Sequence, residues 1–301
     1  MTSRRIWDPR LIRDRLNFWF TNRVPRRALT IWFGRFSRIE QPWIRDVSLK
    51  LWRTCSDLDL SDARRASFKS VHDCFTRELA PGARTIDADP TVVTSPCDAI
   101  VGQCGDVAGT RAFQAKGSDY SLDELLVSAE LAERFRDGCY ATLRLTPTMY
   151  HRFHAPYACR VRRVTYVAGD VMNVNPPTLA RVERLYCRNE RAVVELDLER
   201  GGHALALVPV AAILVASIRF SFVDVRLHLR YRGPNAIACD ASLRKGDEMG
   251  WFEHGSTIIV LAPRGFALAP GIESGRRIRM GTPLLRLPDA PPTSRPSHSG
   301  A

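Results

Sequence analysis

The run Ala204-Leu205-Ala206-Leu207-Val208-Pro209-Val210-Ala211-Ala212-Ile213-Leu214-Val215-Ala216-Ser217-Ile218 decides how this chain is read. It is the longest apolar stretch, yet its 15 residues fall short of the roughly 20 that a bilayer-spanning helix needs. Pro209 sits at its middle, where it would remove a helical hydrogen bond. Its first half, Ala204–Val210, therefore reads as a buried strand. Working outward, runs of the same length and texture appear at Ala192–Leu198, Ser221–Leu229, Arg160–Val167, Tyr140–Leu145, Thr257–Leu261 and Leu284–Leu287. Strands thus predominate from Thr91 onward. One helical interruption is predicted over Ser121–Phe135, where Ser121 precedes Glu124 in a capping-box pattern.

The first 80 residues have a different texture. Leu11–Phe20, Arg27–Phe36 and Pro42–Trp52 mix apolar and basic residues at helical spacing. Ser61 is a candidate N-cap for a further helix over Ala63–Leu79, ended by Pro81-Gly82. The tail from Pro288 to Ala301 is rich in Pro and Ser and is expected to be disordered. The predicted class is α+β. Amphipathic helices occupy residues 1–80, a β-rich barrel- or sandwich-like domain occupies 81–287, and the tail covers 288–301.

Hydrophobic residues form 45% of the chain and charged residues 25%, a globular profile that excludes a disordered or fibrous protein. The net charge of +12 is concentrated at one end. Residues 1–46 hold eleven arginines against Asp8, Asp14, Glu40 and Asp46. Five of the six tryptophans, Trp7, Trp19, Trp32, Trp43 and Trp52, lie in the same region. Arginine beside tryptophan suits an anionic membrane surface. Amphipathic helices packed on the body, or a single-stranded nucleic acid, are the competing readings. The first 30 residues lack an uninterrupted apolar core, so no secretory leader is expected. The eight cysteines contain no CxxC pair, which points away from zinc ribbons and disulfide frameworks and toward reduced thiols.

Three segments concentrate reactive side chains. Ser95-Pro96-Cys97-Asp98 is a turn-like stretch whose aspartate by itself reads as a turn former. Tyr150-His151-Arg152-Phe153-His154-Ala155-Pro156 carries two histidines at spacing i, i+3. No acidic residue follows at ligand spacing, so acid–base chemistry is favoured over a metal site. His254-Gly255-Ser256-Thr257 precedes a strand and lacks the flanking glycines of a nucleophile elbow, which argues against a serine hydrolase. Gly255 nevertheless lets the backbone bend so that the Ser256 hydroxyl reaches the Gly255 carbonyl, as an intramolecular acyl shift requires.

Taken in order, these segments resemble the bacterial phosphatidylserine decarboxylase proenzymes, a pyruvoyl-dependent family. The likeness extends through Phe75-Thr76-Arg77-Glu78-Leu79, Gly82–Asp87, Lys116-Gly117 with Tyr120-Ser121-Leu122, Gly169–Asn175, Asn189-Glu190-Arg191 and Lys245–Phe252, covering about residues 70–287. Met149 stands where the family usually has an acidic residue, and Ala99 where it has glycine. Ala211 and Ala216 stand in a run that is glycine-bearing in the family.

The resemblance implies a mechanism. Asp98 would orient and charge-stabilise His154, and His154 would take the proton of Ser256. Attack on Gly255 and β-elimination would then divide the chain between Gly255 and Ser256 into 1–255 and 256–301. Ser256 would become the covalent pyruvoyl group, a ketone that condenses with the substrate amine. His151 would contact the substrate carboxylate or handle the decarboxylation proton, with a supporting hydrogen bond as the alternative. The implied reaction converts phosphatidylserine to phosphatidylethanolamine and carbon dioxide in phospholipid biosynthesis. Another serine-headed lipid, a soluble amine acid, or a non-catalytic membrane-binding member are the alternatives. The implied partners are an anionic phospholipid membrane, met peripherally at the cytoplasmic face, and the two cleaved chains as a heterodimer, with a higher homo-oligomer allowed. Neither nucleic acid nor metal is expected.

Overall fold

The computed structural model describes residues 25–115, 118–213, 217–229, 231–253 and 256–288. The predicted Leu11–Phe20 helix and most of the tail lie outside them. Two helices open the described chain, α1 (Arg26–Phe36) and α2 (Pro42–Cys55), close to the spans expected. Pro42 occupies the first turn of α2, where a missing N–H costs nothing. Trp43, Val47 and Leu51 share one face of α2 at i, i+4 spacing and stand exposed, whereas Trp52 turns inward and stacks on Phe75 with ring centroids 6.1 Å apart.

The helix expected over Ala63–Leu79 shrinks to α3 (Val71–Phe75). Its cap is Ser70, whose hydroxyl accepts from the Asp73 N–H, not Ser61. The flanks are claimed by backbone pairing instead: Arg64 N donates to Glu78 O and Ala80 N to Asp62 O, both at 2.9 Å. That ladder withdraws the groups an α-helix would need.

The body follows with β1 (Val92–Thr94), β2 (Ala99–Asp106), β3 (Arg111–Ala115) and β4 (Ser118–Ser121), then α4 (Leu122–Leu126) and α5 (Ala129–Glu133). Next come β5 (Cys139–Arg144), β6 (Arg152–His154), β7 (Cys159–Val167), α6 (Pro176–Leu179), α7 (Leu185–Arg188), β8 (Arg191–Leu198) and β9 (Ala204–Ala211). The chain closes with β10 (Ser217–Phe220), β11 (Arg226–His228), β12 (Ala236–Leu243), β13 (Glu248–Phe252), β14 (Ser256–Ala262), β15 (Ala267–Leu268), β16 (Arg277–Ile278) and β17 (Pro283–Arg286).

The α+β expectation holds, with the strands arranged in open sheets. The largest has eight strands in the order β12-β7-β8-β9-β14-β5-β2-β16, and a four-stranded sheet runs β11-β10-β13-β6. All eight residues of β9 are buried. Pro209 fits there because the β8–β9 ladder steps from Arg191↔Val210 to Val194↔Leu207, and the proline lies in the interval. Two predicted elements divide. Ser121–Phe135 breaks at Val127, which adopts a left-handed conformation before Ser128 caps α5. Ser221–Leu229 is not one strand, because the chain turns back after Phe220 and β11 pairs antiparallel with β10.

Gly250 marks the tightest approach in the smaller sheet. A Cβ there would lie 2.1 Å from the Arg219 carbonyl oxygen and 2.9 Å from Phe153 Cζ, forcing β13 off its neighbours. Gly250→Ala is expected to destabilise the protein by about 1–3 kcal/mol, read as a lower urea midpoint. Gly34→Ala, inside α1 with nothing within 4 Å of the added atom, should leave the midpoint unchanged or raise it.

Candidate active site

One row of residues crosses the eight-stranded sheet: Ile100 faces Arg144, Arg144 faces Thr257, Thr257 faces Val210, and Val210 faces Arg191. Because β2 and β14 both run antiparallel to β5, they point the same way. Asp98, two residues before Ile100, and Ser256, one before Thr257, therefore lie at the same end of the sheet. Only β5 separates their strands, which sets them about 10 Å apart along the ladder direction. The chain leaving β5 runs at that end through Thr146–Thr148 into Tyr150–His154, and the His154 N–H donates to Pro96 O at 2.8 Å. The register thus gathers three segments that lie far apart in sequence. Ser256 is placed by its backbone, opposite Ala211. Gly255 lies outside the described residues.

His154 is buried, and its ring has a defined tautomer. Nδ1 lies 2.9 Å from the Gly246 carbonyl, which can only accept, so Nδ1 carries the proton. Nε2 is then the free base and receives the Tyr150 hydroxyl at 2.9 Å. Burial holds the His154 pKa below its ordinary value of 6.5, although the Gly246 hydrogen bond, Glu248 and Asp98 pull the other way. The imidazole is therefore neutral near pH 7, as a proton acceptor must be. Burial pushes the Tyr150 hydroxyl well above its usual range, so it remains a donor.

Asp98 is held by other partners. Its carboxylate pairs with Arg84 through two hydrogen bonds, one to Nε at 3.0 Å, and accepts the Met280 N–H at 2.9 Å. Arg84 also reaches Asp62 at 2.7 Å. Among the described residues no hydrogen bond joins Asp98 to His154. The carboxylate acts on the imidazole as a nearby charge, while the orienting contact at Nδ1 comes from Gly246. The turn carrying Asp98 is pinned: the Ser95 hydroxyl donates to Cys97 O at 2.8 Å, and Ser95 N donates to Thr282 O at 2.8 Å.

His151, just before β6, is fully buried against the helical region. Its Nδ1 meets Met149 O at 2.8 Å, and its ring lies 3.8 Å from that of Phe75. Its carbonyl accepts from Phe252 N at 3.0 Å, which places it beside the strand leading toward Ser256. At the Met149 departure, the thioether sulfur accepts from Thr146 N at 3.4 Å.

Tyr150 and Arg84 fall within the blocks of resemblance, but the sequence assigns neither a role. Their signal is tertiary, since nothing in the spacing of Arg84 and Asp98 announces an ion pair. Glu253 was passed over altogether. Yet it is a buried carboxylate two residues before Gly255, and a charge at the end of a buried strand is the cue to it.

An aspartate, a neutral histidine and a serine brought to one end of a sheet form a site suited to nucleophilic acyl chemistry. Comparison with known proteins gives the particular family. The phosphatidylserine decarboxylase family profile matches residues 71–286. A phosphatidylserine decarboxylase proenzyme of Aliivibrio salmonicida (strain LFI1238) is 35% identical over 289 residues, covering 91% of this chain and 99% of the relative. That of Marinobacter nauticus (strain ATCC 700491 / DSM 11845 / VT8) is 37% identical over 254 residues, covering 80% and 87%. That of Halorhodospira halophila (strain DSM 244 / SL1) is 36% identical over 278 residues, covering 88% and 91%. The chain belongs to the phosphatidylserine decarboxylase family.

The depressed His154 pKa fixes the sign of a pH effect. With His154 as the base for precursor cleavage, the rate should be insensitive to pH near neutrality and fall only as pH drops below 6.5, where the ring gains its second proton. A time course of intact mass at stepped pH measures this, and an acid limb above 6.5 would contradict the buried, neutral imidazole.

Proposed function

We propose that this chain is a self-processing decarboxylase that converts phosphatidylserine to phosphatidylethanolamine and carbon dioxide, using a pyruvoyl group made from Ser256. The convergence of Asp98, His154 and Ser256 at one end of the eight-stranded sheet carries this reading, in a chain of this family. In the processing step His154 Nε2 takes the Ser256 hydroxyl proton, once the Tyr150 hydroxyl yields its place or relays the proton. The oxygen attacks the Gly255 carbonyl carbon, and the Ser256 nitrogen leaves as an amine, so an ester replaces the amide. Loss of the Ser256 Cα proton then expels the Gly255 carboxylate, leaving a dehydroalanine. Its imine tautomer takes up water and releases ammonia. Asp98 stabilises the imidazolium formed on the way.

The residues present fit the group. Thr257–Leu261 is paired on one side with β9 and on the other with β5, so a new chain end at Ser256 stays fixed after the cut. When formed, the ketone supplies the electron sink for loss of carbon dioxide. His151, buried beside Phe252, is the candidate for contacting the substrate carboxylate or returning the proton.

Residues 81–287 form the catalytic part in this reading, and the helical region before them meets the membrane peripherally, at its cytoplasmic face. Trp32, Ile39, Trp43, Val47 and Leu51 are large exposed apolar side chains of α1, α2 and their connection. Arg45, Lys50 and Arg53 share α2 with them, the pairing of apolar face and basic flank that suits an anionic lipid surface. No helix among the described residues is long and apolar enough to cross a membrane.

Intact mass under denaturing conditions should give two chains divided before Ser256, the smaller one blocked to N-terminal sequencing and reactive toward hydroxylamine. Ser256→Ala should remain a single inactive chain, and His154→Ala and Asp98→Asn should accumulate precursor. His151→Ala should cleave yet lose turnover. An active wild-type preparation that stays uncut would overturn the pyruvoyl reading. Replacing Trp43, Val47 and Leu51 together by alanine should weaken co-sedimentation with anionic vesicles while leaving cleavage intact. Unchanged sedimentation would move the attachment elsewhere.

A further inference from the structure

Glu253 is the last described residue before the cleavage pair, two positions ahead of Gly255, and it is only 5% exposed. Its carboxylate accepts from Arg38 Nη2 at 2.6 Å, from Arg226 Nη2 and from the Ser217 hydroxyl. Arg219 Nε stands 3.7 Å away and His72 Nε2 3.9 Å away. Burial alone would raise the carboxyl pKa, but the Ser217 hydrogen bond, Arg226, Arg38 and His72 outweigh it and hold the group ionised.

These partners come from separate parts of the molecule. Arg38 follows α1, His72 belongs to α3, Ser217 and Arg219 to β10, and Arg226 to β11. One buried carboxylate therefore ties the helical region to the β10–β11 hairpin and to the segment entering the cleavage pair. The backbone repeats the tie, with Glu253 N donating to Ser217 O at 3.1 Å. On the far side of the pair, Ser256 is fixed opposite Ala211. The scissile bond is thus bracketed along the chain by two anchors, Glu253 to Ser217 and Ser256 to Ala211.

An acyl shift depends on holding a hydroxyl oxygen against the preceding carbonyl carbon, and a displacement of about 1 Å costs such a reaction about a hundredfold in rate. A buried carboxylate deprived of a cation is costly to keep in place as a charge, so it takes up a proton or shifts toward water, and either change loosens the hold on its segment. We propose that Glu253 is a positioning residue for self-cleavage, and that Arg38 makes cleavage conditional on the N-terminal helices being seated on the body. This rests on the processing reading given above, and it orders maturation: the helices dock first and the cut follows.

The test is a time course of cleavage by intact mass for full-length chains made in cell-free synthesis. Glu253→Gln should cleave about tenfold or more slowly and Arg38→Gln about fivefold or more slowly, with Arg38→Lys restoring most of the rate. Arg160→Gln, which breaks an exposed pair with Asp240 on the far edge of the sheet, should cleave like wild type. Arg38 is 39% exposed at its side chain, so its variants test the idea even if Glu253→Gln fails to fold. Wild-type rates in both Glu253→Gln and Arg38→Gln would overturn the proposal, as would Arg38→Lys cleaving as slowly as Arg38→Gln. A wild-type chain that is never cut before Ser256 would instead overturn the processing reading itself.

Discussion

Seven residues of β14, Ser256–Ala262, lie between β9 and β5, and the ladder on each side pairs six of them. Ile258 through Ala262 are fully buried, so this strand is at once the middle of the sheet and the middle of the core. A strand satisfied along both edges has no freedom to slip, because a shift of one residue would turn every side chain to the wrong face. Everything at the site inherits that fixity. The registers of β5 on β14 and of β2 on β5 set where Asp98 emerges, and the exit from β5 sets where the Tyr150–His154 segment begins.

The electrostatics follow from burial. Burial keeps the His154 imidazole neutral, while the buried Glu253 stays ionised because a hydroxyl and arginines face it. Asp98 has Arg84, and Glu253 has Arg38 and Arg226. Such pairs give less stability than their geometry suggests, since desolvation offsets the attraction. Their value here is in direction: each carboxylate is committed to one position, and so is the backbone that carries it.

Much of this was legible in the sequence. The strands around Ala204–Ala211 were, because buried strands of a central sheet are continuous apolar runs bounded by turns. The blocks that hold Asp98, His154 and Ser256 could be read from their order, and the ladder register brings the three to one end of the sheet. What stayed hidden depends on contacts between remote segments. Ala63–Leu79 carries helical spacing, but the pairing of Arg64 with Glu78 and of Ala80 with Asp62 wins over it. Ser221–Leu229 has strand-like alternation, yet the hairpin of β10 with β11 takes only part of it. The edge strand β12 escaped notice because its exposed and half-buried residues alternate without a strong apolar face. The orienting group for His154 is a backbone carbonyl, that of Gly246, and no residue type encodes it.

The smaller piece produced by a cut before Ser256 would be 46 residues long and would contribute β14 together with β15, β16 and β17. Before the cut, that piece finds its place between β9 and β5 as part of the same chain, at the high effective concentration, about millimolar, that a short tether gives. Afterwards the tether is gone, and a molecule that unfolds must recover its central strand by a second-order encounter between two polypeptides. Unfolding then becomes harder to reverse as the protein is diluted, and the lifetime of the mature enzyme is set by how slowly it opens. Such a cut would convert a chain whose central strand is tethered into an assembly that keeps its structure kinetically.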